Sequence, residues 1–113
     1  MRLATAVAER NEPRSHHAAL ASHAGDASEF LRALAHPNRL MILCILCEGE
    51  RSVTELEQLL ALRQPTVSQQ LARLREDGLV KARRQGKTIY YSLGSNDVRI
   101  VVETVSHVFG SRR

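Results

Sequence analysis

The stretch SVTELEQLLALRQPTVSQQLARLREDG, residues 52–78, constrains the fold more than any other part of the chain. Its first half has apolar residues at helical spacing and begins with Ser52 and Glu55, the pattern of an N-terminal capping box. Its second half begins near Pro65, and proline suits the first turn of a helix because its missing N–H would have no partner there. Two short helices joined by a tight turn predict a helix-turn-helix, a motif that reads duplex DNA.

The second helix, expected over residues 65–77, has one apolar and one polar face. Val67, Leu71 and Leu74 fall within a narrow arc and are predicted to face the core. Amides and hydroxyls lie on the opposite arc, where they can pair with base edges in a major groove, and an arginine one turn on is suited to phosphate. The DNA-binding residues predicted for this helix and its start are Gln64, Thr66, Ser68, Gln69 and Arg73.

A basic hairpin follows this helix. Residues 79–84 and 87–93 alternate apolar and polar side chains as strands do, and residues 85–86 are predicted to supply the turn. Such a hairpin is the wing of a winged helix-turn-helix, and it argues against an ordinary amphipathic surface helix as the alternative for residues 65–77. The basic residues expected at its tip, against the minor groove or the phosphates, are Arg83, Arg84 and Lys87.

The positive charge of the chain is concentrated on this proposed reading surface. Residues 63–87 carry seven lysines or arginines and two acidic residues, a net charge of +5, whereas all 113 residues carry +4. A local positive field of this kind favours a polyanionic partner. Aromatic residues make up only 4% of the chain, which argues against stacking on single-stranded bases.

The remaining segments predict one domain over residues 26–110, with a flexible or partly helical extension at residues 1–25 and a tail at residues 111–113. A capping pattern at Asp26 predicts a helix that ends before Pro37. The next segment, with LMILCILC at its centre, is apolar on every side and is predicted to be the buried hub. The elements therefore run α-α-α-α-β-β-α, a mainly α fold with a β-hairpin wing (α+β).

The last helix, capped by Ser95 or Asn96, carries a wide apolar stripe that a chain this short has little left to cover. We therefore expect self-association into a homodimer. A two-fold dimer would place its recognition helices about 34–36 Å apart, so the operator should be an imperfect palindrome of double-stranded DNA. The interface residues predicted on this helix are Val98, Val101, Val102, Val105 and Phe109.

Three segments resemble the ArsR-type bacterial repressors: ALAHPNRLMIL (33–43), RQPTVSQQLARLREDGLV (63–80) and RRQGKTIYYSL (83–93). The resemblance covers about residues 29–109. It implies a homodimeric winged helix protein that represses transcription until an inducer binds or modifies it. It also implies that the helix carrying Phe30 packs in the dimer interface.

Cys44 and Cys47 are the candidates for sensing. The position of Cys44 is similar to that of a sensing cysteine in the sulfide- and persulfide-responsive branch of the family, which implies a reactive sulfur species as inducer. That branch has a second cysteine late in the last helix, at or near Gly110 here, where this chain reads SHVFGSRR. A persulfide on Cys44, or a bridge to Cys47 containing extra sulfur, fits better than a simple disulfide, because Cβ atoms at i and i+3 lie about 5–6 Å apart. The alternative is that both cysteines pack as small core hydrophobes.

Other functions are weighed against this one. A metal-responsive repressor would need a non-standard site, for example Cys44, Cys47 and His107 if their helices converge. A protein-interaction module would not need a basic wing. No catalytic motif is found, so no enzyme activity, cofactor or resident metal is expected. No membrane span or secretory signal is seen, and a cytoplasmic location is expected.

Overall fold

The structure is a computed structural model that describes residues 15–111. It confirms a mainly helical winged helix-turn-helix and adds a third strand to the wing. The elements in chain order are α1 (His16–Ala21), α2 (Ala24–Leu34), α3 (Pro37–Glu48), β1 (Arg51–Ser52), α4 (Val53–Leu60), α5 (Gln64–Glu76), β2 (Val80–Gln85), β3 (Thr88–Leu93) and α6 (Asn96–Gly110). The predicted extension and tail fall partly on residues 1–14 and 112–113, outside the described residues.

The helix-turn-helix consists of α4 and α5. The predicted capping box is present, because Ser52 Oγ accepts from the Glu55 N–H at 3.2 Å and Glu55 Oε1 accepts from the Ser52 N–H at 2.9 Å. After α4 the chain turns at Ala61, which has a left-handed backbone with φ of 54°. α5 then begins at Gln64, one residue earlier than predicted, and places Pro65 in its first turn.

The wing is a three-stranded antiparallel sheet in the order β1-β3-β2. β1 is two residues long and pairs Arg51 with Tyr91. It was not predicted because two polar residues are too short a segment to show the alternation of a strand. The hairpin turn is displaced by one residue from the prediction. It is formed by Gly86 and Lys87, and Gly86 has φ of +64°, a conformation that glycine adopts without a steric penalty.

The core forms around α3, which packs against α2, α4, α5, α6 and β3. Ile42, Leu43 and Leu46 of this helix are 0–1% exposed, and Val67, Leu71 and Leu74 of α5 face them as predicted. The expectation that α3 is buried on every side is wrong. Met41 is 48% exposed, and Cys44 and Cys47 are only partly buried.

Three further expectations are corrected. Asp26 does not start a helix. α2 begins two residues earlier, at Ala24, and the preceding residue His23 makes no side-chain cap.

Val98 and Val102 were predicted to lie in the dimer interface, but they are 2% and 1% exposed. They pack against the core of the single chain and so offer no surface to a second copy.

Among residues 15–111 no single helix is long and apolar enough to cross a membrane. Only α2 and α3 taken together reach the necessary length and composition, across a 93° bend.

Gly94 lies where two backbone segments meet, and we predict that Gly94→Ala destabilises the protein. Its N–H donates to the Leu79 carbonyl at 2.8 Å, and a Cβ at this position would collide with the carbonyl oxygen of Gly78. Because both atoms belong to backbone, the strain should cost about 1–3 kcal/mol in the free energy of unfolding, measured by urea titration. Gly25→Ala is the matched control. No atom lies within 4 Å of a Cβ there, so the free energy of unfolding should stay the same or rise by up to about 1 kcal/mol.

Candidate DNA-binding surface and cysteine recess

The exposed face of α5 carries the residues predicted to read DNA. Gln64 and Gln69 are exposed, whereas Thr66 and Ser68 are partly buried. The Gln64 side-chain amide donates to Ser68 Oγ at 2.7 Å, as residues four apart on a helix can do. The two side chains therefore orient each other on the surface that would enter a major groove.

Arg83 and Arg84 lie on opposite faces of the wing, because neighbouring residues of a strand point to opposite sides. The register confirms this, since Arg83 is opposite Tyr90 and Arg84 is opposite Ile89. Arg84 and Lys87 are exposed, and Lys87 lies in the turn itself. Arg83 is not at the tip but lies three residues before the turn.

Arg83 makes a two-pronged ion pair with Glu50, in the loop between α3 and β1. Its Nη2 lies 2.6 Å from Glu50 Oε1 and its Nε donates to Oε2 at 3.1 Å. The hydrogen bonds from Arg83 lower the pKa of Glu50 and raise the pKa of Arg83. The guanidinium also lies 5.0 Å from the centroid of the Tyr90 ring. Arg83 thus fixes the wing to the loop after α3, a role that its position in the sequence did not reveal.

A basic recess of about 200 Å³ lies beside the exposed face of α5. One side is formed by Arg39 of α3 and by His36, the residue before this helix. The other side is formed by three residues of α5: Gln69, Gln70 and Arg73. Sequence analysis had singled out only Gln69 and Arg73. His36 and Arg39 were missed because nothing in the local pattern shows that the start of α3 packs beside the middle of α5.

A second recess, of about 350 Å³, lies between α3 and α6. Its lining residues are Cys44, Cys47, Glu48, Val102, Glu103, Ser106 and His107. The structure therefore places the two cysteines together, with Ser106 and His107 across from them. Both cysteines are free thiols. Gly110, where the resemblance places the second cysteine of the sulfur-responsive branch, is exposed and does not line the recess.

The surroundings of Cys47 disfavour its reactive thiolate form. Burial raises the pKa of the Cys47 thiol, and the positive charge of Arg99 only partly opposes this shift. Arg99 Nη1 also donates to the Cys47 carbonyl at 2.5 Å and lies 3.8 Å from Glu103 Oε2. The thiolate is the nucleophilic form, so a raised pKa slows attack by Cys47 at neutral pH.

Within residues 15–111 no group of three or more His, Cys, Asp or Glu side chains is arranged to hold a metal ion. Cys44, Cys47 and His107 border the same recess without forming such a group. The exposed residues His17, in the first turn of α1, and His23, in the turn between α1 and α2, also belong to no such group.

The residues predicted to form the dimer interface differ in how exposed their side chains are in the single chain. Phe30, Val101 and Val105 are partly buried, and Phe109 is 60% exposed. Leu31 on α2 and Val108 on α6 are also exposed, at 57% and 44%. Apolar surface thus remains on α2 and at the end of α6 after the single chain has folded.

Comparison with known proteins agrees with this geometry. Residues 36–82 match the model of the family described as bacterial regulatory protein, arsR family. The chain is 45% identical over 91 residues to the biofilm growth-associated repressor of Agrobacterium fabrum, covering 80% of this chain and 78% of that protein.

Solved structures show the same fold. Reduced HlyU from Vibrio cholerae has a TM-score of 0.75 and 39% identity, over 80% of this chain and 95% of that one. The homodimeric winged helix-turn-helix domain of Mb0332 from Mycobacterium bovis has a TM-score of 0.67 and 32% identity, over 88% and 89%. These relatives are transcriptional regulators rather than enzymes, and the chain belongs to the ArsR family of bacterial DNA-binding transcription regulators.

Proposed function

We propose that the protein is a homodimeric repressor that binds an imperfect palindrome in double-stranded DNA and is released when Cys44 reacts with an organic persulfide. The observation that carries the DNA-binding part is the joint exposure of the polar face of α5 and the basic tip of the wing. The observation that carries the sensing part is the recess in which Cys44 borders solvent between α3 and α6.

Base reading is assigned to Gln64, Thr66, Ser68 and Gln69, with Gln69 as the principal reader. Gln69 is exposed in the second turn of α5, and a glutamine amide can donate to and accept from adenine at once. Arg73, Arg84 and Lys87 are assigned to phosphates or the minor groove. Arg83 contributes to the same surface mainly by holding the wing, because its guanidinium is already paired with Glu50.

The dimer is assigned to the apolar surface on α2 and the end of α6. Phe30, Val101, Val105 and Phe109 keep their predicted roles there, whereas Val98 and Val102 support the helix from within the core. The homodimeric state of Mb0332 supports a dimer, although it does not bear on which surface forms the interface. A two-fold dimer binds two half-sites, which is why the operator is expected to be palindromic.

Sensing is assigned to Cys44 because it borders the recess at the position that resembles the sensing cysteine of the sulfur-responsive branch. Burial raises the pKa of the neighbouring Cys47 thiol, which makes that residue the poorer nucleophile at neutral pH. The Cys44 thiolate attacks the outer sulfur of an organic persulfide, RSSH, and forms a new S–S bond while the RS–S bond breaks. The products are Cys44–SSH and the thiolate RS⁻, so no separate oxidant is needed. The added sulfur enlarges a side chain of α3 inside the recess that faces α6, where the larger group presses on neighbouring side chains.

A displacement of α3 would reach the DNA-binding surface through contacts that the structure shows. The Cys47 carbonyl accepts from Arg99 of α6 at 2.5 Å. Glu50, three residues after Cys47, pairs with Arg83 of the wing. α3 also packs directly against α5. The same helix therefore touches the recess, the recognition helix and the segment that braces the wing.

Gln69→Ala is expected to lower sequence discrimination. The probes are a duplex selected from a random pool by the wild-type protein and a scrambled duplex of equal length. Affinity for the selected duplex should fall by roughly 1–3 kcal/mol, and affinity for the scrambled duplex should change little, as measured by fluorescence anisotropy. Equal losses on both duplexes would remove Gln69 from base reading.

Lys87→Ala is the contrasting variant for that experiment. It lies in the wing turn, so it should weaken both duplexes by a similar factor. Gln58→Ala on the exposed side of α4 is the matched amide control and should leave both affinities unchanged. A selected duplex without two related half-sites would contradict the proposed dimer geometry.

Persulfide treatment is expected to release DNA from the wild-type protein and from Cys47→Ser, but not from Cys44→Ser. The three proteins are reduced, freed of metal and titrated with the selected duplex before and after treatment. An apparent loss of about 5–150-fold corresponds to a typical coupling energy between two sites. Mass spectrometry of the treated Cys47→Ser protein should find one added sulfur on Cys44. Release of Cys44→Ser to the same extent would remove this cysteine from sensing.

The pH dependence of alkylation tests the raised pKa of Cys47. In Cys44→Ser the remaining thiol should react with iodoacetamide with a midpoint above the ordinary value of 9.0, because burial disfavours the thiolate. Glu103→Gln removes a negative charge that raises this pKa, so the midpoint should move down. Arg99→Gln removes a positive charge that lowers it, so the midpoint should move up. A midpoint below 9.0 in Cys44→Ser would contradict the raised pKa of Cys47.

A further inference from the structure

The basic recess beside α5 is lined only by groups that can donate hydrogen bonds. His36 and Arg39 come from the start of α3, and Gln69, Gln70 and Arg73 come from α5. No carboxylate lines it, although the ion pair of Arg73 with Asp77, at 3.7 Å, lies next to it on exposed side chains. A recess of this composition suits an oxyanion and no cation.

Arg39 supplies an unsatisfied donor at this recess. Its Nε is buried and has no hydrogen-bond partner among the described residues. A buried polar atom without a partner is uncommon in folded proteins and costs free energy, more so when the group is charged. Among the described residues the Arg39 guanidinium therefore has no acceptor that would compete with an anion for its other nitrogens.

His36 presents a second donor. Its Nδ1 accepts from the Asn38 N–H at 3.2 Å, so the ring proton lies on Nε2, which is the nitrogen left to donate. This side chain also caps the twelve-residue helix α3, whose N-terminal end carries a partial positive charge. The partial charge at the helix end and the two arginines therefore act with the same sign on whatever enters the recess, and His36 Nε2 can donate a hydrogen bond to it.

We propose that this recess holds a backbone phosphate of bound duplex DNA, with Arg39 and His36 on one side and Gln70 and Arg73 on the other. The location favours DNA over a free anion, because Gln69 borders the recess and also lies in the proposed base-reading face. A phosphate held there fixes how far α5 enters the major groove and how it is rotated, as backbone contacts do in other protein–DNA complexes. The inference rests on the proposed DNA-binding function and adds to it Arg39 of α3 and His36, the residue that caps this helix.

The test is a salt titration with a random-sequence duplex, since phosphate contacts do not depend on sequence. For each phosphate neutralised, the slope of log affinity against log salt is about 0.9 steeper. Arg39→Gln should therefore reduce the slope by about 0.9, and Arg39→Lys should restore most of it. Arg75→Gln is the matched control, because it removes the same charge from a residue outside the recess. Arg75 is exposed on α5, two residues after Arg73. An equal change in Arg75→Gln would mean that net charge alone sets the slope, and would overturn the proposal.

Gln70→Glu keeps the proposal testable even where Arg39→Gln does not fold. It leaves both arginines in place and introduces a negative charge into the recess, so duplex affinity should fall, while Gln58→Glu on α4 should cause a smaller loss. Thermal unfolding of each variant shows that the comparison uses folded protein. Unchanged affinity in Gln70→Glu would overturn the proposal.

Inorganic phosphate distinguishes the two sources of the anion. At constant ionic strength, replacing chloride with phosphate should raise the unfolding temperature of the wild type very little if the recess needs the duplex backbone. Strong stabilisation by phosphate that is lost in Arg39→Gln, without any change in the duplex salt slope, would assign the recess to a free anion instead. A wild type that fails to bind any duplex would reject DNA binding itself, whereas a wild type with a steep slope shared by all variants would reject only this site.

Discussion

The packing of α3 through the centre of the chain is the constraint on which the other features depend. Ile42, Leu43 and Leu46 are almost fully buried, and each leucine- or isoleucine-sized side chain contributes about 1.5–3 kcal/mol when removed from water. The helix buries this face by contacting several elements at once, including α5, β3 and α6. The recognition helix, the wing and the cysteine recess thus all contact this one element or the loop after it. A shift of α3 would therefore displace residues at each of them.

Much of the fold could be predicted because its signals are local. The capping box at Ser52, the proline in the first turn of α5 and the period of Val67, Leu71 and Leu74 are all read within a few residues. Boundaries shifted by one or two residues where the signal was ambiguous. Asp26 has a glutamate three residues later, as a capping residue would, but α2 starts at Ala24.

The candidate sites could be predicted only in part, because they join residues that are distant in sequence. Periodicity shows that Val98 and Val102 are apolar, but it cannot show whether the core or a second chain covers them. Glu50 and Arg83 are 33 residues apart, and their pairing depends on β1 joining the wing. Arg39 belongs to a segment whose pattern indicates only the start of a buried helix, and its position beside α5 is a property of the tertiary structure.

The ion pair between Glu50 and Arg83 has a consequence for selectivity. A cation on the wing that already has a carboxylate partner neutralises less phosphate charge, so it displaces fewer of the counterions condensed on a nucleic acid. Glu50 in this way shields one arginine from indiscriminate attraction to nucleic acid while keeping its side chain in place. The wing can then be rigid without being fully cationic, because the same ion pair fixes its position and lowers its net charge.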